Sequence, residues 1–276
     1  MKTYKKSFRS FDNSNIIYRE WLVNKAKANL VVVHGIGEHS NRYEHVVNHF
    51  TGAGLNVFTW DARGHGDSDG QRGFIESWEY FRKDIHEYFK AIKEQLGDKP
   101  VFLLGHSLGG LKTLDYLLHH GNENIQGYIC SAPAIGKVGI SPVLLALSKV
   151  LTNVTPRLSL DTGMDHSAIS RDSRWLELTG VDKLYHSRGT PRLAMEVIKA
   201  AEWVQSNTDK LNYPILAIHG TADKICDIGG TRQFMSNTTQ NDKTTLEYEG
   251  GYHELFNDIE RERVLSDVEN WIAARL

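Results

Sequence analysis

Val101-Phe-Leu-Leu-Gly-His-Ser107-Leu-Gly-Gly110 joins a short apolar stretch directly to the pattern Gly-x-Ser-x-Gly. The apolar stretch is typical of a buried parallel strand, and the leucines after Ser107 recur at helical spacing. A strand therefore meets a helix at Ser107. Such a junction is a nucleophile elbow, a tight turn that exposes the serine hydroxyl at a helix N-terminus, where free N–H groups stabilise negative charge. Gly105 and Gly109 leave the space that this turn requires.

The segments on either side of the elbow alternate between strand and helix patterns, which predicts a mostly parallel sheet with helices on both faces. A polar cluster at 12–15 separates the first two strand-like segments and predicts an antiparallel hairpin. The predicted strands are 4–11, 16–23, 29–34, 55–61, 101–104, 125–131, 215–219 and 244–249. The predicted helices are about 42–53, 77–95, 108–120 and 258–275. The predicted fold class is therefore α/β.

The alternation stops between 132 and about 205, where the pattern is helix-like without a convincing strand. A segment of about seventy residues is too long for a loop, so we interpret 132–205 as an inserted helical cap. The rest forms a core in two parts, 1–131 and 206–276. Within the cap, 140–160 is rich in apolar residues. An acyl-binding or membrane-facing surface and simple packing onto the core are both open for this stretch.

The composition limits what the chain can do. Its 276 residues, 40% of them hydrophobic, suffice for one large α/β domain with an insertion. The 32 basic and 34 acidic side chains give a formal net charge of −2, so we expect no nucleic-acid partner. The two cysteines form no metal-binding pattern, which favours a reducing, cytoplasmic compartment. Without a secretory signal or an apolar run of about 18 residues, any membrane contact is expected to be peripheral.

A serine nucleophile needs a histidine to take its proton and a carboxylate to orient that histidine. In a fold with this elbow, the chain order is serine, acid, histidine. Asp223 follows the seventh predicted strand, and His253 follows the eighth after two glycines. Both loops lie at carboxyl ends of strands, where the functional groups of open α/β sheets gather. We therefore predict Ser107, Asp223 and His253 as the catalytic residues, with Asp227 as the rival carboxylate.

Attack on an ester carbonyl produces an oxyanion, which two backbone N–H groups should stabilise. One donor comes from the residue after the nucleophile, Leu108, and the other from the loop after an earlier strand. We predict Ile36 in His34-Gly-Ile36-Gly as this second donor, because glycines allow close approach of the backbone to a ligand. The stretch 34–37 lacks the glycine spacing of a dinucleotide-binding loop. Residues 63–70 lack the spacing of acidic residues that a calcium-binding loop requires. Neither a cofactor nor a metal is predicted.

Several segments together resemble the monoacylglycerol lipase and lysophospholipase family of serine α/β-hydrolases: His34-Gly-Ile-Gly-Glu-His-Ser-Asn-Arg-Tyr43, Gly64-His-Gly-Asp-Ser-Asp-Gly70, Gly105-His-Ser-Leu-Gly-Gly110, Gly220-Thr-Ala-Asp-Lys-Ile-Cys-Asp227 and Tyr248-Glu-Gly-Gly-Tyr-His253. The resemblance spans most of the chain. It implies an α/β-hydrolase fold and acyl transfer from a small lipid ester to Ser107. It also implies that the Cys226 thiol lies near the catalytic residues. By resemblance, Glu38, His39 and Arg42 lie near the polar head of a glyceride, with a structural salt-bridge role equally open.

Three alternatives stay open at this point. A lysophospholipase or a small-ester carboxylesterase would use the same three side chains on another leaving group. A non-catalytic receptor with a hydrolase fold would bind a small apolar ligand without turnover. Acyl chain length, regiochemistry and oligomeric state leave no signature in the sequence.

Overall fold

A computed structural model describes residues 2–121, 124–137 and 142–276. The strands are β1 (Lys2–Arg9), β2 (Asn15–Leu22), β3 (Ala28–Val33), β4 (Leu55–Trp60), β5 (Val101–His106), β6 (Ile125–Ser131), β7 (Leu160–Asp161), β8 (Arg188–Gly189), β9 (Ile215–Gly220) and β10 (Lys243–Tyr248). The helices are α1 (Glu44–Gly52), α2 (Trp78–Leu96), α3 (Leu108–His120), α4 (Pro142–Val154), α5 (Ser173–Val181), α6 (Pro191–Ser206), α7 (Ile228–Asn237) and α8 (Arg261–Ala273). None of these described helices is both long and apolar enough to cross a bilayer.

Eight strands form one sheet in the order β1-β2-β4-β3-β5-β6-β9-β10. The pairs β1–β2 and β2–β4 are antiparallel, and every other neighbouring pair is parallel. This confirms the predicted α/β class, with a mostly parallel sheet that begins in a hairpin. The carboxyl ends of the parallel strands therefore meet along one edge, where the functional loops are expected to gather.

Helices cover both faces of the sheet because successive side chains of each buried strand point to opposite sides. In β3, Val31 and Val33 belong to the apolar core that α2, α3, α6 and α7 complete. Leu30 and Val32, from the same strand, belong to the second core, completed by α1 and α8. The centre of the sheet is thus buried on both sides, as the continuous apolar runs of its central strands predict.

The segment 132–205 contains α4, α5, most of α6 and the short antiparallel pair β7–β8. The sequence predicted its helical character but not the pair of two-residue strands. Apolar residues of α6 pack into the same core as α2 and α3, so this helix joins the segment to the sheet layers. The cap boundary itself stays a prediction. Of the apolar stretch predicted at 140–160, residues 140–141 and the side chains of 142–147 lie outside the described part of the chain.

Helix α7 was absent from the sequence-based prediction. Its N-cap is Asp227, whose side chain accepts a hydrogen bond from the Gly229 amide. The pair Gly229-Gly230 lowers the helix propensity of the first turn and obscures the pattern. Phe234 and Met235 nevertheless pack into the core, and this tertiary burial outweighs the weak local preference. An aspartate followed by an apolar pair seven residues later was the available signal.

Candidate active site

Ser107 lies between β5 and α3 in a conformation that non-glycine residues rarely adopt. Its φ is +53° and its ψ is −121°. The Ser107 amide donates to the Ser131 carbonyl over 2.9 Å, and the Ser107 carbonyl accepts from the Ala134 amide over 3.1 Å. A Cβ on Gly109 would lie 2.2 Å from the Val33 carbonyl oxygen, so only glycine fits beside the turn. The surrounding backbone therefore holds the serine in the predicted elbow geometry.

The loops after β5, β9 and β10 bring three predicted side chains into one line of hydrogen bonds. Ser107 Oγ lies 2.9 Å from His253 Nε2. His253 Nδ1 lies 2.7 Å from Asp223 Oδ2. With the carboxylate accepting from Nδ1–H, Nε2 is free to accept the hydroxyl proton of Ser107. This is the hydrogen-bond geometry that a serine nucleophile, its base and an orienting carboxylate require.

Asp223 is held by four polar contacts. Its Oδ1 accepts from the amides of Ile225 and Cys226 over 2.8 and 3.0 Å. Its Oδ2 contacts both His253 and His219, the latter over 3.1 Å. Burial opposes ionisation of this carboxyl, but the interactions with the two histidines outweigh burial and hold its pKa well below the usual range. Asp223 is therefore a carboxylate at neutral pH.

His219 is a functional residue that the sequence reasoning missed. Its Nε2 lies 3.0 Å from the Cys226 carbonyl oxygen and 3.1 Å from Asp223 Oδ2. Since both partners are acceptors, Nε2 carries the hydrogen, and Nδ1 accepts from the Thr231 hydroxyl over 2.9 Å. His219 thus donates a second hydrogen bond to the orienting carboxylate. His219 lies in β9, and Asp223 lies four residues later in the loop that follows. A spacing of four residues across the end of a strand does not fix the distance between two side chains, so no sequence pattern predicts this contact.

Asp227, the rival carboxylate, has a different contact. Its Oδ1 accepts from the Gly229 amide over 2.9 Å at the N-terminus of α7. Of the two acids, only Asp223 contacts His253, and the geometry therefore favours Asp223 as the carboxylate that orients this histidine.

The electrostatics of His253 favour proton uptake. Its burial alone would lower the pKa, but the adjacent Asp223 carboxylate outweighs burial, and the pKa of His253 is raised above its ordinary value. A more basic imidazole is a better acceptor for the serine proton.

An apolar cavity of about 250 Å³ opens at Ser107. Its walls include Leu160, Leu193 and Val197. Ile36 and Leu108 line it beside the nucleophile, and their amides donate to no acceptor within the described part of the chain. Two free N–H groups beside a serine hydroxyl form the geometry that an oxyanion requires.

Cys226 also lines this cavity and is 1% exposed. Burial raises the pKa of its thiol well above the ordinary value. The cysteine is therefore protonated and is a poor nucleophile at neutral pH.

Glu38, His39 and Arg42 do not line the cavity; each is buried against protein groups. His39 Nε2 lies 2.7 Å from Asp182 Oδ2, which belongs to the cap segment. Glu38 accepts hydrogen bonds from the Gly35 amide and the Tyr43 hydroxyl. Burial raises the pKa of Glu38 to about 7.

Arg42 makes more polar contacts than either Glu38 or His39. It donates to both carboxylate oxygens of Glu254, at 3.2 and 3.1 Å, and to the Thr179 hydroxyl at 3.0 Å. Its guanidinium also lies 4.7 Å from the Trp175 ring and 4.9 Å from that of Tyr185. The structure thus favours the salt-bridge alternative for these residues over contact with a glyceride head, because their polar atoms are directed into the protein.

Glu254, directly after His253, is a second residue that the sequence reasoning missed. It accepts from Arg42 and from Trp175 Nε1, the latter over 2.6 Å, and its amide donates to the Ile169 carbonyl over 2.7 Å. The loop carrying the base is therefore bonded to the cap segment. No spacing rule could predict this, because Arg42 lies 212 residues earlier in the chain.

The glycine-rich stretch 63–70 forms a tight corner, called the structural corner below. Gly64, Gly66 and Gly70 all have positive φ values. The acids of this corner contact protein groups: Asp67 Oδ2 accepts from Arg19 over 3.2 Å, and Asp69 accepts from a backbone amide at 2.9 Å.

The chain is similar to known hydrolases, in agreement with the geometry of the site. A family model described as "Serine aminopeptidase, S33" (Hydrolase_4) matches residues 24–260. The chain is 32% identical over 273 residues to a monoacylglycerol lipase of Mycolicibacterium smegmatis, covering 98% of this chain and 97% of that protein. It is 30% identical over 246 residues to phospholipase YtpA of Bacillus subtilis, covering 88% and 94% respectively.

A solved structure extends the similarity to three dimensions. The crystal structure of Paleococcus ferrophilus monoacylglycerol lipase matches with a TM-score of 0.85 and 32% identity, covering 100% of both chains. Its similarity confirms the α/β-hydrolase fold predicted from the elbow. The chain belongs to the Hydrolase_4 family and, within it, to the monoacylglycerol lipases and lysophospholipases of the serine α/β-hydrolase fold.

Proposed function

We propose that this chain is a carboxylic ester hydrolase that cleaves monoacylglycerols into fatty acid and glycerol. The observation that carries the proposal is the line of hydrogen bonds from Ser107 through His253 to Asp223 at the opening of an apolar cavity. The similarity to monoacylglycerol lipases of comparable length supports the choice of substrate.

In the first step, His253 Nε2 takes the proton from Ser107 Oγ as the oxygen attacks the ester carbonyl. The carbonyl oxygen gains a negative charge and accepts hydrogen bonds from the amides of Ile36 and Leu108. Asp223 holds the imidazole in its Nδ1–H tautomer and stabilises the imidazolium that forms. These are the roles that we assign to the five residues.

Collapse of the tetrahedral intermediate breaks the bond to the glycerol oxygen, and the imidazolium of His253 returns the proton to that oxygen. The acyl group is then bonded to Ser107 Oγ. Water attacks this ester, His253 takes a proton from the water, and the proton finally returns to Ser107 as the fatty acid leaves. No redox equivalent enters or leaves the cycle.

The cavity favours an apolar acyl group over an amino acid, although the family description names an aminopeptidase. An aminopeptidase must compensate the charge of an α-ammonium group, and a buried carboxylate is the effective partner for a desolvated cation. Asp161 and Asp165 are the acids among the described lining residues, and both are exposed to solvent. Leucine and valine walls instead bury a hydrocarbon chain, with about 0.8 kcal/mol gained for each CH₂.

A hydrolysis panel tests the substrate class. It compares monoacylglycerols, diacylglycerols, lysophospholipids, short 4-nitrophenyl esters and aminoacyl amides under matched conditions. We expect the highest kcat/KM on a monoacylglycerol. A higher kcat/KM on lysophospholipids would replace monoacylglycerols as the proposed substrate and would agree with the similarity to phospholipase YtpA. A preference for aminoacyl amides would contradict the assignment as an esterase.

Ser107→Ala is the matched blank for this panel. It removes the nucleophile while leaving the elbow backbone in place, so we expect ester hydrolysis to fall by about 10⁴-fold or more. A fluorophosphonate probe should label the native chain at Ser107 and leave the variant unlabelled. A folded native chain that neither labels nor hydrolyses any ester would instead be the non-catalytic receptor.

Contact with a lipid surface through the cap is a further part of the proposal. Val150 and Val154, one helical turn apart on α4, are 63% and 71% exposed. An exposed apolar pair of this kind fits a peripheral contact with lipid, which carries the substrate. Replacing both valines with aspartate should reduce cosedimentation with neutral vesicles without lowering hydrolysis of a water-soluble ester. We also propose a cytoplasmic location, supported by two unbridged, buried cysteines.

A further inference from the structure

The loop that carries Ile36 is restrained from both sides. Before Ile36, the Glu38 carboxylate accepts from the Gly35 amide over 3.0 Å and closes the turn. After it, the Gly37 carbonyl accepts from the His186 amide over 3.0 Å. The direction of the Ile36 N–H depends on the backbone dihedrals between these two bonds. The second bond comes from the segment of the cap that leads into β8.

Gly37 also lies against the backbone of His186. A Cβ on Gly37 would be 2.2 Å from the His186 carbonyl oxygen, and Gly37 has a φ of +75°. Glycine therefore serves two purposes here: it adopts a left-handed conformation and it admits another backbone at contact distance. Any shift of the segment around His186 must displace Gly37, because no side chain separates them.

The His186 ring fixes this segment to a different core loop. Its Nε2 donates to the Gly64 carbonyl over 3.2 Å, and its Nδ1 accepts from the Arg188 amide over 3.2 Å. Gly64 belongs to the structural corner, where its own amide donates to the Asp69 carbonyl over 2.8 Å. The imidazole thus connects the cap segment to a second core loop, the one that contains Gly64.

Both ring contacts need one hydrogen on Nε2 and none on Nδ1, which is a neutral tautomer. Burial lowers the pKa of His186 to about 4, so the ring keeps this state at neutral pH. The His65 ring, 4.9 Å away between centroids, packs against it.

We propose that His186 is a positioning residue for the oxyanion donor: its ring holds the cap backbone on the Gly64 corner, and that backbone holds Gly37 and thereby the Ile36 amide. The inference rests on the proposed function, since it assumes that Ile36 donates to the oxyanion. It assigns to the cap a role in the chemical step that is separate from lining the acyl cavity. An amide displaced by about 1 Å stabilises the transition state less, while binding of the ground-state substrate changes little.

The test compares His186→Ala and His186→Phe with the native enzyme on a 4-nitrophenyl ester. His186→Phe keeps most of the ring volume and removes both hydrogen bonds. We expect kcat to fall by about 10- to 100-fold in both variants, with KM changed by less than about threefold. His186→Gln, whose amide nitrogen can donate to Gly64, should recover most of the loss. His166→Ala removes an exposed cap histidine and is the control.

Two inhibitors separate positioning from a general structural effect. Ser107 Oγ adds to the boron of an alkyl boronic acid while His253 takes the serine proton, and the resulting anionic tetrahedral boronate places one of its hydroxyl oxygens at the oxyanion donors. A long-chain alcohol fills the acyl cavity and forms no adduct. Affinity for the boronic acid should fall in parallel with kcat, whereas affinity for the alcohol should stay within about twofold of the native value.

Either of two results would overturn the proposal: native kcat in the phenylalanine variant, or a reduced kcat with native boronic acid affinity. If the alanine variant fails to fold, the phenylalanine and glutamine variants decide by the same criteria. Failure of the proposed function is recognised separately, because it appears in the native enzyme as absent ester hydrolysis and absent labelling of Ser107.

Discussion

At the residue scale, the chemistry of the site depends on which side chains hold protons. Asp223 stays ionised because two histidines and two amides surround it, and His253 becomes more basic because this carboxylate lies beside it. His219 adds a hydrogen bond from the far side of the carboxylate. A charged acid in a buried position is costly unless such donors compensate it, so the second histidine explains how Asp223 can stay ionised there.

Asp223→Asn should lower kcat by about 10³- to 10⁴-fold while the fold remains intact. The amide can present its NH₂ group to His253 and favour the wrong imidazole tautomer, in which Nε2 can no longer accept the serine proton. Steady-state kinetics on a soluble ester and the thermal midpoint measure the two effects.

Asp227→Asn is the matched control in the same loop. Asparagine is as good an N-cap as aspartate, so the variant should keep kcat within about threefold of the native value. A larger loss in Asp227→Asn than in Asp223→Asn would reverse the assignment of the carboxylate.

The pH profile of kcat/KM should report His253. Only its neutral form can take the serine proton, so activity falls as pH decreases through its pKa. Because that pKa is raised, the acid limb should lie above the ordinary histidine value of 6.5. Asp223→Asn removes the carboxylate charge that raises the pKa of His253, so the acid limb of this variant should move to lower pH. An acid limb below 6.5 in the native enzyme would contradict the electrostatic account.

At the element scale, buried ion pairs join loops that are remote in sequence. Arg42 precedes α1, Glu254 follows β10, and Thr179 lies in α5; the Arg42 guanidinium donates to both of the other two residues. His186 makes a second connection between cap and core. Thr179 is the only buried residue of α5, and β8 is partly exposed, so these polar contacts help to hold this part of the cap against the core, in addition to the apolar packing of α6.

Arg42→Ala should lower the free energy of unfolding by about 3–5 kcal/mol, because it leaves the buried Glu254 carboxylate without its cation. The exposed pair Arg232–Glu247, with side chains 56% and 32% exposed, is the comparison. Arg232→Ala should cost less than about 1 kcal/mol, since water solvates both charges. Urea unfolding of both variants measures the difference. Equal losses would mean that burial of the Arg42 pair adds nothing.

The sequence predicted the core elements well, with the exception of α7, and the cap elements poorly, for a physical reason. The central strands β3, β4, β5 and β9 are buried on both faces, and the long core helices carry an apolar stripe, so their periodicity is visible locally. The strands β7 and β8 have two residues each, and the backbone of β8 lies against the core at Gly73, where a Cβ would be 2.3 Å from the Arg188 carbonyl oxygen. Helix α7 forms through burial of Phe234 and Met235 despite a glycine pair in its first turn.

At the scale of the whole molecule, Lys112 carries a cost in stability. It lies on α3, is 1% exposed, and its Nζ has no hydrogen-bond partner among the described residues. Burial lowers the pKa of Lys112 to about 7, although Asp84 and Glu38 act in the opposite direction. The ammonium lies 4.1 Å from the centre of the Phe81 ring.

Lys112→Met should stabilise the protein in a way that depends on pH. Between pH 7 and the ordinary lysine value of 10.5, the unfolded chain binds one more proton at this position than the folded chain, so native stability rises with pH. The gain in Lys112→Met should be about 2–5 kcal/mol at pH 6 and should shrink towards pH 10.5. Urea unfolding of both proteins at pH 6, 8 and 10 measures it; a gain independent of pH would contradict a neutral buried lysine.

The sequence by itself determined the strand-to-helix turn at Ser107 and the mostly parallel sheet, and it predicted the chain order of the proposed nucleophile, acid and base. These features follow from local periodicity and from a topology in which functional loops end successive strands. Only the tertiary structure decided that Asp227 caps a helix, that Arg42 pairs with Glu254, and that His219 and His186 support the site. Except for the helix cap, these contacts join residues on different elements or across a strand end. No regular spacing encodes such contacts, because they form only when the folded core brings separate loops to the same edge of the sheet.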